Sequence, residues 1–182
     1  MEKPLENRRV RMTRQLLKES LLELLEHKEL CRITVTEICE NADVHRSTFY
    51  KYYEDPTALL REIEQDYLDI IPDSQETLDE KGKANLIQST TSFFEYVKNN
   101  KKVFRILFNK SGDSHFITRL FDLLCSRYII KTEDPAASQS RFECTYMACG
   151  SIGLMWDWIA SDFPCSSREI AEAIFHLSTK IS

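Results

Sequence analysis

Apolar side chains recur every three to four residues along most of the chain, which is the spacing of one face of an α-helix. The first such segment, about residues 13–27, places Leu17, Leu21, Leu24 and Leu25 on one stripe. No stretch alternates apolar and polar residues for long enough to indicate a β-sheet. The sequence therefore predicts an all-α fold of about nine helices.

Local start and stop signals divide this pattern into separate helices. Thr34 followed by Glu37 is a capping box, in which the hydroxyl and the carboxylate each bond a backbone N–H at a helix start. Asp55 followed by Pro56 is typical of an N-cap and a first helical residue. After the helix that begins at Thr34, the remaining helices are predicted at about residues 45–52, 55–71, 83–99, 101–108, 114–131, 138–162 and 167–181, and residues 131–140 as a loop.

The turn at residues 41–43 separates two short helices, as in a helix-turn-helix. Residues 45–53, HRSTFYKYY, contain no acid, although the whole chain has 24 Lys and Arg against 29 Asp and Glu. Phe49 and Tyr53 share one side and are predicted to pack inward on Ile38 and Leu24. The opposite side carries donors suited to phosphates and to guanine, and its residues are Arg46, Ser47, Tyr50 and Lys51.

The charge distribution agrees with a polyanionic partner at the front of the chain. Residues 1–18 hold six Lys and Arg against two Asp and Glu, whereas residues 63–182 hold 13 against 17. An asymmetry of this sign indicates that the first part of the chain contacts nucleic acid.

The segment ITVTEICENADVHRSTFYKYYEDPTALLREI resembles the DNA-binding domain of the tetracycline-repressor (TetR) family, and the likeness covers about residues 10–65. The resemblance implies phosphate contacts by Thr34, Thr36, Tyr50 and Tyr52, and base contacts by Arg46, Ser47, Thr48 and Lys51. The chain departs from the family pattern at Cys39, Asp43, His45 and Pro56. In domain terms, we expect a DNA-binding domain at residues 1–54, a connecting helix at about 55–71, and a helical domain at 75–182.

The resemblance further implies that the C-terminal domain dimerises through its last two helices and binds an effector. Candidate interface residues are Gly150 and Gly153, which would let another helix approach closely, and Ile170, Ile174 and Leu177 on an apolar stripe. The alternative for the glycines is a crossing within one chain. Candidate pocket residues for a small apolar effector are Phe94, Phe104, Phe121 and Trp156, and the alternative for these aromatic residues is ordinary core.

These patterns favour a homodimeric repressor that binds a pseudo-palindromic operator and is released by an effector. A co-regulator that acts mainly through a protein partner is the alternative. An enzyme is not expected, because the sequence contains no His-x-x-x-His, nucleophile elbow or glycine-rich phosphate loop. The six Cys have no metal-ligand spacing and are expected to be mostly buried, and neither a cofactor nor a metal is predicted. Without a membrane span or signal peptide in the sequence, we expect a cytoplasmic protein.

Overall fold

The computed structural model describes residues 8–72, 80–108, 115–129 and 138–179. Within these ranges the chain forms nine α-helices, one 3-10 turn at Leu30–Arg32 and no β-strand, which confirms the predicted fold class. The helices are α1 (Arg8–Leu25), α2 (Val35–Asn41), α3 (Arg46–Phe49), α4 (Pro56–Leu68), α5 (Glu80–Asn99), α6 (Lys101–Leu107), α7 (Phe116–Ile129), α8 (Ser138–Ala160) and α9 (Ser167–Thr179). Most of the predicted loop at 131–140 lies outside the described residues, and α8 begins at Ser138.

Several helices differ by a few residues from their predicted extents; α4, for example, ends at Leu68 rather than at 71, and α5 begins at Glu80 rather than at 83. Helix α1 begins at Arg8, five residues before the predicted start, because residues 8–12 contain no helix breaker and are rich in good helix formers. Helix α3 ends at Phe49 and is followed by a tighter turn, in which Lys51 N–H bonds to Thr48 O and Tyr52 N–H to Phe49 O. The predicted helix over residues 45–52 is therefore one short α-helix plus a turn.

Contacts along the backbone divide the chain into two units. The first contains the described residues 8–67, which carry α1, α2, α3 and α4 up to Tyr67. The second contains residues 68–72, 80–108, 115–129 and 138–179, which carry α5 to α9.

The core of the first unit forms where α1 packs on α2 and α2 packs on α3. Phe49 is fully buried and Tyr53 nearly so, which confirms their predicted inward orientation, whereas Leu24 is only partly buried. The Ser20 hydroxyl donates to the Ile38 carbonyl at 2.9 Å and so satisfies a polar group inside this core. The other fully buried side chains of this unit are Leu17, Leu21, Ile38, Leu59, Ile63 and Glu64.

The core of the second unit is built from aromatic rings. Helix α5 packs on α9, and α8 packs on α6, α7 and α9. Trp158 meets Phe94 and Phe163 edge to face, at centroid distances of 5.3 and 4.7 Å, and its indole N–H donates to Cys165 O at 3.0 Å.

The prediction that the cysteines are mostly buried is wrong. Cys39 and Cys144 are buried, Cys31 and Cys149 are exposed, and the remaining two are intermediate. Helical periodicity does not distinguish these positions, because a small side chain is accommodated on either face of a helix. Among the described residues, no helix is both long enough and apolar enough to cross a membrane.

Candidate nucleic-acid interface

Helix α2 starts with the predicted capping box. Thr34 Oγ1 accepts the Glu37 N–H at 3.2 Å, and Glu37 Oε2 accepts the Thr34 N–H at 3.0 Å. The Lys28 ammonium pairs with the same carboxylate. The hydrogen bond from Lys28, followed by those from Thr34, lowers the pKa of Glu37 to about 2. The start of α2 is therefore fixed by a carboxylate that remains ionised at neutral pH.

Replacing this cap gives the first prediction. Thr34→Ala is expected to lower the free energy of unfolding by about 1 kcal/mol, because the Glu37 N–H loses its acceptor. Thermal and denaturant unfolding measure the change. Thr13→Ala is the matched control, since the Thr13 hydroxyl bonds only the Arg9 carbonyl of its own helix. Equal stabilities for the two variants would show that the capping box contributes nothing.

The turn between α2 and α3 contains a residue in the left-handed region. Asp43 has a φ of 51°, and the Val44 N–H closes the turn by bonding Cys39 O at 2.9 Å. Asp tolerates this conformation better than most residues because its short polar side chain can bond locally. His45 then occupies the N-cap of α3 without a side-chain cap hydrogen bond. The helix-turn-helix geometry is thus made with Asp where the family pattern has glycine.

Helix α3 and the turn after it carry side chains without hydrogen-bond partners among the described residues. Arg46, Ser47 and Lys51 are exposed, and neither they nor Thr48 has a side-chain hydrogen bond or ion pair to any described residue. The Tyr50 ring lies 5.6 Å from the Phe49 ring, and the Tyr52 ring lies 6.4 Å from the Tyr53 ring. Neither tyrosine hydroxyl forms a hydrogen bond with a described residue. Six hydrogen-bonding groups on one short segment are therefore available to an external ligand.

The two predicted phosphate contacts at the start of α2 differ in their surroundings. Thr36 is partly buried and forms no side-chain hydrogen bond within the described part of the chain. The Thr34 hydroxyl, in contrast, both accepts from the Glu37 N–H and donates to Glu37 Oε2 at 3.1 Å. A phosphate contact by this hydroxyl would have to displace the bond to Glu37.

An open cavity of about 270 Å³ lies beside this segment, between α2 and the start of α3. Two exposed carboxylates, Glu40 and Asp43, line it together with His45 and Arg46. Burial raises the pKa of the Cys39 thiol in its wall, so that this thiol is protonated at neutral pH. The acid-free stretch at 45–53 thus has acidic neighbours, Glu40 and Asp43, across this cavity.

The basic front of the chain divides into two groups. Arg8 and Arg11 are exposed on α1 and form no ion pair with other described residues. Lys18 instead pairs with Glu62 at 2.6 Å, and the Arg14 guanidinium also pairs with Glu62. The net charge of residues 1–18 therefore overstates the number of α1 cations available to an external ligand, because two of them are paired with Glu62.

The predicted pocket residues lie in different environments. Phe94 and Phe104 are buried, and Phe104 meets Phe93 and Phe116 edge to face at 6.3 and 6.4 Å. Phe121 is partly buried, whereas Trp156 is 40% exposed on α8. These surroundings agree with ordinary core for Phe94 and Phe104, and effector binding by the four residues stays a prediction.

Helix α8 has an exposed apolar stripe, formed by Phe142, Tyr146, Cys149, Gly153 and Trp156. Phe142 is 73% exposed and Tyr146 66% exposed. A Cβ added to Gly150 or Gly153 would meet no heavy atom within 4 Å, so no described part of the same chain crosses closely there. The alternative of a crossing within one chain is therefore wrong for the described residues.

The three candidate interface residues on α9 do not share one environment. Ile170 is buried in the core of its own chain, Ile174 is partly buried and Leu177 is exposed. Of these three residues, Leu177 is the one whose side chain is exposed.

Comparison with known proteins adds a family match and similar folds. A family model described as "Transcriptional regulator C-terminal region" (TetR_C_8) matches residues 84–180, just over half of the chain. The chain is 23% identical over 171 residues to an uncharacterized HTH-type transcriptional regulator of Bacillus subtilis (strain 168), YxbF. That match covers 88% of this chain and 43% of YxbF, so the chain spans less than half the length of this relative.

Two solved structures illustrate the fold. A TetR transcriptional regulator from Streptococcus agalactiae 2603V gives a TM-score of 0.68 at 17% identity, covering 94% of this chain and 96% of the other. The dihydroxyacetone kinase operon activator DhaS gives a TM-score of 0.62 at 17% identity, covering 92% and 94%. At these identities the likeness concerns the fold alone.

Proposed function

The chain belongs to the TetR family of transcriptional regulators, which are not enzymes, and on that premise we propose that it binds operator DNA sequence-specifically as a homodimer. One observation carries the proposal: α3 and the turn after it carry six side chains, four exposed and two partly buried, that have no side-chain hydrogen bond to any described residue. Neighbouring polar groups with structural roles, such as the Thr34 and Tyr53 hydroxyls, are hydrogen-bonded within the chain. Donors left free in this way suit a ligand rich in acceptors.

The free groups divide by the part of DNA that they fit. The Arg46 guanidinium can donate two hydrogen bonds to the O6 and N7 atoms of guanine, and Ser47 and Thr48 can serve several base edges. Tyr50 and Tyr52 carry hydroxyls at the ends of rigid rings, which suits phosphate oxygens, and Lys51 adds charge. The exposed Arg8 and Arg11 of α1 would supply further sequence-independent attraction.

The homodimer is proposed from the surface of α8. Phe142, Tyr146, Cys149, Gly153 and Trp156 follow one another at alternating steps of four and three residues, the spacing of a helix seam that packs on another helix. Large exposed apolar side chains on such a seam are costly unless a partner covers them. A second copy provides an identical seam, and a two-fold dimer would relate its two α3 helices by the symmetry of a pseudo-palindromic operator.

Regulation is proposed as release from the operator when a small apolar effector binds the second unit, which makes the protein a repressor acting in the cytoplasm. The second candidate is a co-regulator that acts through a protein partner. It is favoured by Glu40 and Asp43, because carboxylates beside α3 oppose binding to phosphates. It also agrees with the likeness in fold to a protein described as an operon activator. Tight, sequence-specific binding by the purified protein alone would reject this candidate.

Arg46→Ala tests the proposed base contact. The variant is expected to lose about 1 to 3 kcal/mol of operator binding and to discriminate less between sequences, since random DNA offers Arg46 no fixed base. Affinities for a duplex selected by the wild-type protein and for random duplex are measured at one salt concentration. Arg105→Ala is the control, because it removes an exposed guanidinium of the second unit that pairs with Asp162. Equal losses on both duplexes for Arg46→Ala would contradict the base contact.

A further inference from the structure

Three donors converge on the carboxylate of Glu62, in the middle of α4. Lys18 Nζ lies 2.6 Å from Oε1, Arg14 Nη2 pairs with Oε2, and the Tyr53 hydroxyl donates to Oε1 at 3.1 Å. Partial burial by itself raises the pKa of Glu62, but hydrogen bonds from Lys18 and Arg14 outweigh it, and the pKa is lowered. The carboxylate is therefore ionised at neutral pH and joins two residues of α1 to one that follows α3.

Tyr53 connects this ionic group to the recognition segment, defined here as residues 46–52. Its buried ring lies 5.6 Å from that of Phe49 and 6.4 Å from that of Tyr52. Its hydroxyl also accepts a hydrogen bond from Arg14 Nε at 3.2 Å. Burial raises the pKa of Tyr53 to about 12, so the hydroxyl keeps the proton that it donates to Glu62.

The hydrogen bonds of the Tyr53 hydroxyl affect the orientation of the recognition segment more than the stability of the first unit. The Tyr53 ring already packs in the core, and the hydroxyl adds two hydrogen bonds that fix how the ring is turned. Hydrogen bonds to base edges weaken steeply when their angles change, whereas contacts to phosphates depend mainly on charge. A small rotation of the recognition segment would therefore reduce binding to the correct sequence more than binding to random DNA.

We propose that Glu62 is a positioning residue for sequence recognition, which holds the recognition segment in register with base edges through the Tyr53 hydroxyl. The proposal rests on the proposed DNA-binding function. It also assigns Arg14 and Lys18 to this structural group, so that they do not contact phosphates. Local sequence patterns do not identify Glu62, because its partners Arg14, Lys18 and Tyr53 lie between 9 and 48 residues away along the chain.

Two tyrosine variants form a matched pair for the test. Tyr53→Phe removes only the anchoring hydroxyl and is expected to lower the ratio of operator to random-DNA affinity about tenfold, with random-DNA affinity unchanged. Tyr50→Phe removes an exposed hydroxyl proposed to touch phosphate and is expected to weaken both duplexes alike. The operator probe is a duplex selected from a randomised pool by the wild-type protein. An unchanged affinity ratio for Tyr53→Phe would overturn the proposal.

Glu62 itself is tested with two substitutions. Glu62→Gln keeps a carbonyl oxygen that can accept from Tyr53, so it should retain more sequence preference than Glu62→Ala. Thermal unfolding identifies any variant that fails to fold, and in that event the tyrosine pair decides the matter, since Tyr53→Phe keeps the buried ring. Equal sequence preference for Glu62→Ala and the wild type would contradict the positioning role.

The salt dependence of DNA binding distinguishes the α1 cations that contact phosphates from those that pair with Glu62. Arg11→Ala is expected to reduce the slope of log affinity against log salt by about 1, because a phosphate contact is lost. Arg14→Ala should leave that slope unchanged while lowering sequence preference. A reduced slope for Arg14→Ala would refute its structural assignment. If the wild-type protein itself shows no preference for any selected duplex, the proposed function fails, and that result is distinct from a failure of the Tyr53 prediction alone.

Discussion

Gly153→Arg is expected to convert the protein into a monomer and to lower its operator affinity by about 100-fold or more, because two linked DNA-binding units gain at least this much from binding together. Gly153 lies in the exposed seam on α8, between Cys149 and Trp156. An arginine there would place a charge and a long side chain where the second copy is proposed to pack. The proposed dimer would then have to bury an unpaired charge, which is strongly unfavourable.

The substitution should not harm the isolated chain. Outside the neighbouring backbone of α8, no heavy atom of the described residues lies within 4 Å of the Cβ that the new residue adds. Glycine inside a helix is less favourable than arginine by roughly 1 kcal/mol, so α8 itself should gain helical stability. A loss of the dimer would therefore not be explained by unfolding.

Light scattering at micromolar concentration and operator binding measure the two effects. Ser92→Arg is the control, since it places the same charge on the exposed side of α5. A Gly153→Arg variant that remains dimeric would show that the α8 seam is not the interface. A wild-type protein that is monomeric under the same conditions would contradict the homodimer altogether.

Phe49→Ala is expected to lower the free energy of unfolding by about 3 to 5 kcal/mol, the largest stability effect of any substitution considered for the first unit. The ring is fully buried, and it contacts the rings of Tyr50 and Tyr53, each at 5.6 Å. Removing it leaves a cavity between α2 and α3, where a short helix has few other contacts to keep it in place. Operator binding should be lost together with the fold of this unit.

Denaturant unfolding followed by circular dichroism measures this loss. Tyr50→Ala is the matched control, because it removes the adjacent, half-exposed ring at the C-cap of α3 and should cost only about 1 kcal/mol. Equal losses for the two variants would show that burial of Phe49 does not hold α3 in place.

Local signals predicted the first unit well. The capping box at Thr34 and Glu37 and the Asp55 N-cap, which accepts the Ala58 N–H at 2.7 Å, were readable because each depends on residues three positions apart. The burial of Phe49 and Tyr53 followed from helical spacing, and the turn at residues 41–43 from its residue types. These features are set by neighbours in the chain.

Features that depend on residues far apart in the sequence could not be predicted from local patterns. Arg14 and Lys18 were included among the basic residues expected to attract DNA, but both pair with Glu62. No sequence pattern near residue 14 predicts this pairing. Spacing placed Phe94 and Phe104 on apolar faces, yet it does not distinguish a face that packs on other rings from one that borders a cavity. In the same way, Gly150 and Gly153 indicated a close approach without telling which chain supplies the partner.

Selection of duplexes from a randomised DNA pool by the purified wild-type protein, followed by sequencing, shows whether the protein recognises a specific sequence. We expect enrichment of an inverted repeat whose half-sites lie about one helical turn or a multiple of it apart. The selected duplex should bind at least about 1,000-fold more tightly than random DNA at physiological salt. If a protein shown to be folded enriches no sequence from the pool, that result would contradict sequence-specific binding by the recognition segment.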